Sequence, residues 1–125
     1  MKKIIRTDKA PAAIGPYSQA VDTGEYVFVA GQVGIDPPEG KIVSDKVTDQ
    51  TRQALENLKA ILEAAGLGMD NVVKATVFLA SMDDFQDMNS VYSEYFANDP
   101  PARAAFEVAA LPLGARVEIE AIAKR

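Results

Sequence analysis

The sequence predicts a single α+β domain, residues 1–125, with two helices packed on one face of a mixed sheet. Its length of 125 residues suits one domain. A hydrophobic content of 48% and a charged content of 25% are those of an ordinary globular protein. Segments typical of strands and helices follow in the order strands, helix, strand, helix, two strands, with no linker or internal repeat.

The first third of the chain is typical of strands separated by turns. A strand candidate surrounds Ile4, and the loop APAAIGPY then presents Tyr17 at the start of a second strand. Tyr26–Val33 (YVFVAGQV) is mostly β-branched and aromatic, so we expect a strand that is buried on both faces. Gly31 inside it indicates a bulge or a close approach of a ligand or another backbone.

Two amphipathic segments predict the helices. In the first, apolar residues recur at steps of three and four from about Ser44 or Asp45, and Gly66 supplies the stop. A strongly β-forming stretch over residues 71–80 follows it. Ser81 then opens the second helix, with Asp84 three residues later as a short capping-box signal.

Asn89 interrupts the apolar face of the second helix, between Phe85 and Tyr92. A buried amide without a hydrogen bond costs about 1–3 kcal/mol, so Asn89 needs a partner. We expect a structural role in which it holds the backbone of a neighbouring loop. The functional alternative is that this loop belongs to an active site.

The last quarter of the chain holds the residues best suited to chemistry. Two strands are predicted over residues 103–109 and 115–123, and Arg103 lies in the first of them among alanines. On the last strand Glu118 and Glu120 share the polar face. Ile122 on that same face indicates that its far end is covered, which makes Glu120 the better candidate for burial.

Composition excludes several classes of function. The chain has no cysteine and no histidine, which removes disulfides, thiolate metal sites and catalytic triads that use imidazole. A net charge of −5 argues against a general nucleic-acid binder, which needs clustered Lys and Arg. No apolar run approaches the roughly 18 residues of a membrane span. We therefore expect a cytoplasmic protein with no membrane partner and no metal site.

The physical pattern alone favours a modest interpretation of Arg103 and Glu120, as ordinary surface or interface ion-pair residues. The alternative is an arginine fork for a substrate carboxylate, with a nearby carboxylate that positions water. Apolar strand positions on both faces of so small a sheet indicate oligomerisation.

Five segments together resemble the RidA/YjgF family. They are APAAIGPYSQAV, VFVAGQVG, VVKATVFL, DFQDMNSVYSEYF and PPARAAFEVAALPLGARVEIEAIA. The similarity runs in order from about Ala10 to Ala123 without large gaps. The resemblance implies a chorismate-mutase-like fold assembled as a homotrimer, whose sheets form a central barrel and whose ligand clefts lie between subunits.

The resemblance also implies an activity and the residues that carry it. Members of this family hydrolyse reactive enamines and imines, such as 2-aminoacrylate and 2-iminobutyrate, to 2-keto acids and ammonia without a cofactor. By position, Arg103 would bind the substrate carboxylate and Glu120 would position the attacking water. Four further residues would bind substrate: Tyr17 as a wall, Gly31 for close backbone approach, Asn89 near the cleft, and Ala105 through its backbone.

Two departures from the family pattern keep other functions open. Many deaminating members have serine where Ala30 stands and cysteine where Ala105 stands. Their loss favours, as one alternative, a protein that binds 2-keto acids without turnover. Another is an RNA-binding translation inhibitor or endoribonuclease, against which the acidic charge and the absent histidine weigh.

Overall fold

The computed structural model describes residues 2–125 and contains eight strands and two α-helices. The strands are β1 Lys3–Ile5, β2 Ala20–Asp22, β3 Tyr26–Val33, β4 Ile35–Asp36, β5 Lys41–Ile42, β6 Val72–Leu79, β7 Ala102–Glu107 and β8 Val117–Lys124. The α-helices are α1 Val47–Ala64 and α2 Phe85–Tyr95. Short 3-10 turns cover Met69–Asn71, Met82–Asp84 and Pro112–Gly114.

Six strands form one mixed sheet in the order β1-β2-β3-β8-β6-β7. All neighbours are antiparallel except β6 and β7, which are parallel and are connected through α2. The strands β4 and β5 form a separate small hairpin. The predicted α+β class and the mixed sheet are therefore confirmed.

Both helices cover the same face of this sheet. Helix α1 contacts β3 and β8, and α2 packs beside α1. The core between helices and sheet includes Leu55, Leu58, Leu62, Val77 and Ile119, all with 0% exposure. Burial alternates strictly along β8, with Val117, Ile119, Ala121 and Ala123 toward the helices. This period of two is the pattern that the sequence predicted.

The helix boundaries differ slightly from those expected. Helix α1 begins only at Val47, because Lys46 before it keeps an extended backbone. Ser81 does act as a cap, but its side chain accepts from the Asp83 N–H and starts a 3-10 turn. The α-helix follows from Phe85, so the capping box expected with Asp84 does not form.

The expectation that Tyr26–Val33 is buried on both faces is wrong for the single chain. Val27 and Val29 lie in the core, but Phe28 between them is 45% exposed. The helices cover only one face of the sheet, and an apolar run cannot indicate which face is left open. The bulge expected at Gly31 is confirmed, because the pairing of β3 with β8 shifts register between Val29 and Gln32.

None of the helices within residues 2–125 combines the length and the apolar character needed to cross a membrane.

Candidate active site

Arg103 lies on the edge strand β7 and faces helix α2. In the parallel register Arg103 pairs with Ala75, whose side chain is buried beneath the helices, so both lie on the helical face of the sheet. Its Nη1 donates a hydrogen bond of 2.6 Å to Asn89 Oδ1. The guanidinium carbon lies 5.4 Å from the centre of the Phe85 ring and 4.8 Å from that of Tyr92.

The partner of Asn89 is thus a guanidinium rather than a loop backbone, and the expected tie to a loop is wrong. The two residues are 14 positions apart and meet because α2 lies directly over β7. The spacing of Phe85, Asn89 and Tyr92 already placed them on one helix face. Only the packing of that face on β7 shows that these three side chains surround the guanidinium of Arg103.

A cavity of about 540 Å³ opens beside β3 and β8, and Tyr17, Gly31 and Glu118 contribute to its wall. Much of the remaining lining is apolar and includes Ile14, Val33, Ile35 and Leu113. Gly31 and Glu118 are in close contact. A Cβ at Gly31 would overlap Glu118 Oε2 and would lie 2.9 Å from its Cδ. Gly31 therefore leaves the space that the Glu118 carboxylate occupies.

The expectation that Glu120 is the more buried of the two glutamates is also wrong. Glu118 is half-buried, whereas Glu120 is exposed. Burial raises the pKa of the Glu118 carboxyl, and the neighbouring charge of Glu120 raises it further. Glu118 lies beside the bulge of β3, which covers it. The apolar residue Ile122 does not mark a covered end of this face, because it lies next to the exposed Phe28.

Glu120 lines a different and smaller hollow of about 220 Å³ on the open face of the sheet, together with Lys74 and Thr76. Sequence reasoning therefore missed Glu118. Gly31 itself was a partial signal, because the absence of a Cβ there leaves room for the Glu118 carboxylate. Strand register was not a signal, since it places the bulge residues Ala30 and Gly31 opposite Glu120 and pairs Glu118 with Val33.

The predicted site residues fall into two groups. The arginine group consists of Arg103, Asn89 and Ala105, and Ala105 shares the helical face of β7 with Arg103. The glutamate group consists of Tyr17, Gly31 and Glu118. Glu118 pairs with Phe78 on the open face, so the two groups lie on opposite faces of the sheet. Within residues 2–125, the chain does not bring them together.

The two groups contribute a guanidinium, an amide, a carboxylate, a phenol and backbone groups. Within residues 2–125, no group of three or more Asp or Glu side chains is placed to hold a metal ion.

Similar proteins define the class to which this fold and these residues belong. The family model described as Endoribonuclease L-PSP matches residues 7–125. The RutC family protein PH0854 of Pyrococcus horikoshii is 56% identical over 123 residues, 98% of each chain. The 2-iminobutanoate/2-iminopropanoate deaminase of Mus musculus is 56% identical over 123 residues, 98% of this chain and 91% of its own. The crystal structure of E. coli TdcF with bound serine superposes with a TM-score of 0.94 at 48% identity and covers 98% of both chains.

The matches extend over nearly the whole chain and agree with one another in fold and in sequence. The chain belongs to the Endoribonuclease L-PSP family, which is the RidA/YjgF family that its sequence motifs indicated.

Proposed function

We propose that this protein is a 2-iminobutanoate/2-iminopropanoate deaminase, an enzyme that hydrolyses reactive imines and enamines to 2-keto acids and ammonia. The observation that carries the proposal is the 56% identity, over 98% of the chain, to the mouse protein named for this reaction. The TdcF structure holds serine, which carries a carboxylate and a nitrogen on the adjacent carbon, as the proposed substrates do. The proposed reaction uses water and the side chains of the protein and requires no cofactor.

Arg103 is proposed to bind the substrate carboxylate. A guanidinium offers two parallel N–H donors that match the two oxygens of a carboxylate. The side chain is exposed on an edge strand, and Asn89 accepts from Nη1 and so orients it. Asn89 therefore serves substrate binding through Arg103, and the backbone at Ala105 would offer polar groups to the substrate nitrogen.

Glu118 is proposed to position the attacking water, the role that the family resemblance implied for Glu120. A carboxylate with a raised pKa is the better proton acceptor near neutral pH. As water adds to the imine carbon, its proton passes to Glu118 and the C=N double bond becomes a single bond. Glu118 returns this proton to nitrogen, which gives a carbon that bears both a hydroxyl and an amino group. The hydroxyl proton then passes to the amino nitrogen, by way of Glu118 or water, as the C–N bond breaks, so that the carbonyl forms and ammonia leaves. Tyr17 and Gly31 would shape this side of the cleft.

The complete site is proposed to form between subunits of a homotrimer of single 125-residue domains, with the open sheet faces turned inward as a barrel. Two observations support this. The arginine group and the glutamate group lie on opposite faces of the sheet. The uncovered side of the chain also exposes large apolar side chains, among them Phe28 at 45% and Phe106 at 44%.

Substitution of Arg103 tests the carboxylate site. We expect Arg103→Ala to reduce the acceleration of 2-iminobutyrate hydrolysis on the order of 100-fold, with Arg103→Lys retaining part of it. Ammonia release from enzymatically generated 2-iminobutyrate, corrected for spontaneous hydrolysis, measures this. Arg52→Ala is a matched control, because Arg52 is an exposed α1 residue paired with Glu94. Unchanged acceleration by Arg103→Ala would exclude the assigned role.

A pair of substitutions distinguishes the two glutamates. We expect Glu118→Gln to lower kcat by about 100-fold or more, because an amide cannot accept the proton of water. Glu120→Gln keeps most of the activity, since Glu120 lies in the separate hollow with Lys74. The same ammonia assay measures both, with circular dichroism to check folding. The opposite result would return the role to Glu120.

A second candidate function is binding of 2-keto acids without turnover. Ala30 and Ala105 favour it, because they remove two polar side chains from the expected cleft. Calorimetric binding of 2-ketobutyrate, together with imine hydrolysis at the spontaneous rate, would establish this function in place of the enzyme.

The description of the matched family as an endoribonuclease keeps RNA cleavage as a third candidate. The net charge of −5 weighs against it. RNA affinity that falls steeply with salt, accompanied by RNA cleavage, would support it. A cytoplasmic location stays a prediction, which fractionation of cells that express the protein would check.

A further inference from the structure

Three side chains of α2 surround the guanidinium of Arg103, and two of them have no assigned function. Phe85, Asn89 and Tyr92 stand at positions i, i+4 and i+7, so they share one face of the helix. That face lies over β7, the strand that carries Arg103. The proposed function accounts for Asn89 but not for the two aromatic rings.

Each of the three contacts restricts the guanidinium in a different way. The bond from Nη1 to Asn89 Oδ1, at 2.6 Å, determines which edge of the planar group faces the helix. The ring centres of Phe85 and Tyr92, at 5.4 and 4.8 Å from Cζ, lie within the range of cation–π attraction. Together they hold a flexible side chain in one orientation, with Nη2 and Nε left for another partner.

Within residues 2–125, no Asp or Glu lies within ion-pair distance of this cation, whereas Arg52, Arg116 and Arg125 each have such a partner. The surroundings of Arg103 are therefore aromatic and amide groups, which orient a guanidinium without neutralising it. An arginine held in this way keeps its full charge for an anion from outside the chain.

Tyr92 contacts Arg103 through its ring and not through its hydroxyl. Tyr92 is buried at 5% exposure, and its hydroxyl has no hydrogen-bond partner among the residues described. Burial raises the pKa of this hydroxyl, and the nearby Arg103 charge offsets part of that rise. Removal of the oxygen alone therefore leaves the contact with the guanidinium in place, which makes Tyr92→Phe a matched control.

We propose that Phe85 and Tyr92 are positioning residues, whose rings fix the guanidinium of Arg103 in the orientation that receives the substrate carboxylate. The identity of that ligand rests on the proposed function. The rings lower the conformational freedom that Arg103 would otherwise lose on binding, so their contribution is to substrate affinity. They do not touch the reacting carbon, and the rate of the chemical step does not depend on them.

Steady-state kinetics with 2-iminobutyrate test the proposal. We expect Tyr92→Leu and Phe85→Leu each to raise KM by roughly three- to tenfold, with kcat changed less than about twofold. Tyr92→Phe keeps the wild-type KM because it keeps the ring. A wild-type KM in both leucine variants overturns the proposal. So does a Tyr92→Phe variant that loses as much as Tyr92→Leu.

A double-substitution cycle separates positioning from a general loss of structure. In an Arg103→Lys background the point charge of lysine has no planar group for the rings to orient. We expect Tyr92→Leu to raise KM by less than about twofold in that background. An equal rise in both backgrounds shows that Tyr92 acts by packing alone and overturns the proposal.

A readout that does not depend on activity keeps the failure of this proposal distinct from failure of the proposed function. The Nε–H resonance of Arg103 is identified by its absence from the NMR spectrum of Arg103→Lys. We expect the two rings to shift it in the wild type and in Tyr92→Phe, and Tyr92→Leu to return it toward the position of exposed arginines. If these three shifts are observed but the protein does not accelerate imine hydrolysis, the proposed function fails and the positioning role stands. Hydrolysis with an unshifted resonance overturns the positioning role alone.

Discussion

Two glutamates on β8 differ in environment although they share one face of the same strand. Glu118 lies beside the bulge at Gly31, where burial and the charge of Glu120 raise its pKa. Glu120, two residues further on, is exposed beside Lys74. This difference in environment comes from the neighbouring strand and not from residue type, since both side chains are the same.

The raised pKa of Glu118 predicts a pH dependence. Glu118 must be ionised to accept a proton, so kcat/KM for 2-iminobutyrate should fall as pH falls through its pKa. Glu120→Gln removes one cause of the rise, and we expect the acid limb of the profile to move to lower pH. Profiles of wild type and Glu120→Gln, with the imine-generating enzyme in excess at each pH, measure this. An acid limb that moves to higher pH would contradict it.

At the scale of elements, the end of β3 links α1 to the cavity. Asn57 of α1 is completely buried and donates Nδ2 hydrogen bonds to the backbone oxygens of Val33 and Ile35, both of which line the cavity. Gly34 between them packs against the backbone of Gln50 in the same helix. The cavity wall is therefore held by a rigid helix and not by a loop alone.

Substitution by alanine should have different effects at two glycines of this region: loss of stability at Gly34 and loss of activity at Gly31. A Cβ at Gly34 would lie 2.6 Å from Gln50 Cα and 2.7 Å from its backbone oxygen, so Gly34→Ala should lower the free energy of unfolding by about 1–3 kcal/mol. The three atoms nearest to a Cβ at Gly31 all belong to the Glu118 side chain, which can rotate away, and not to the backbone. We expect Gly31→Ala to change stability by less than about 1 kcal/mol but to lower the rate of imine hydrolysis, because the carboxylate is displaced.

Urea unfolding and the ammonia assay measure the two effects on the same preparations. Equal loss of stability in both variants would show that the Glu118 carboxylate cannot move aside. Full activity of Gly31→Ala would contradict the placement of Glu118 in the site.

At the scale of the whole molecule, one face of the sheet is covered by the helices and the other face is open. The helices bury one side, while Phe28 and Phe106 stay largely exposed on the other. The Phe106 ring packs edge-on against Phe78, with the centres 5.4 Å apart, and so extends the apolar surface across β6 and β7. This surface and the separation of the two site groups both support the proposed assembly of several copies of the chain.

A charge on this face should dissociate the proposed trimer. We expect Phe106→Asp to shift the molar mass in solution from that of three chains toward that of one, because a buried unpaired carboxylate is costly. Imine hydrolysis should fall with it, as each site loses one of its two groups. Size-exclusion chromatography with light scattering measures the mass, and Phe106→Leu, which stays apolar, is the control. A wild-type protein of one-chain mass would contradict the assembly.

The sequence by itself determined the α+β class, the alternation along β8 and the family, because periodicity and motif spacing are local properties of the chain. A bulge at Gly31 was one of two alternatives that it left open. The tertiary structure alone decided what each polar group meets. Asn89 accepts a hydrogen bond from Arg103, 14 residues further along the chain, and Glu118 rather than Glu120 lies under β3. It also showed that only one face of Tyr26–Val33 is covered. Which groups meet depends on strand register and helix packing, and these are set by contacts between segments far apart in the chain.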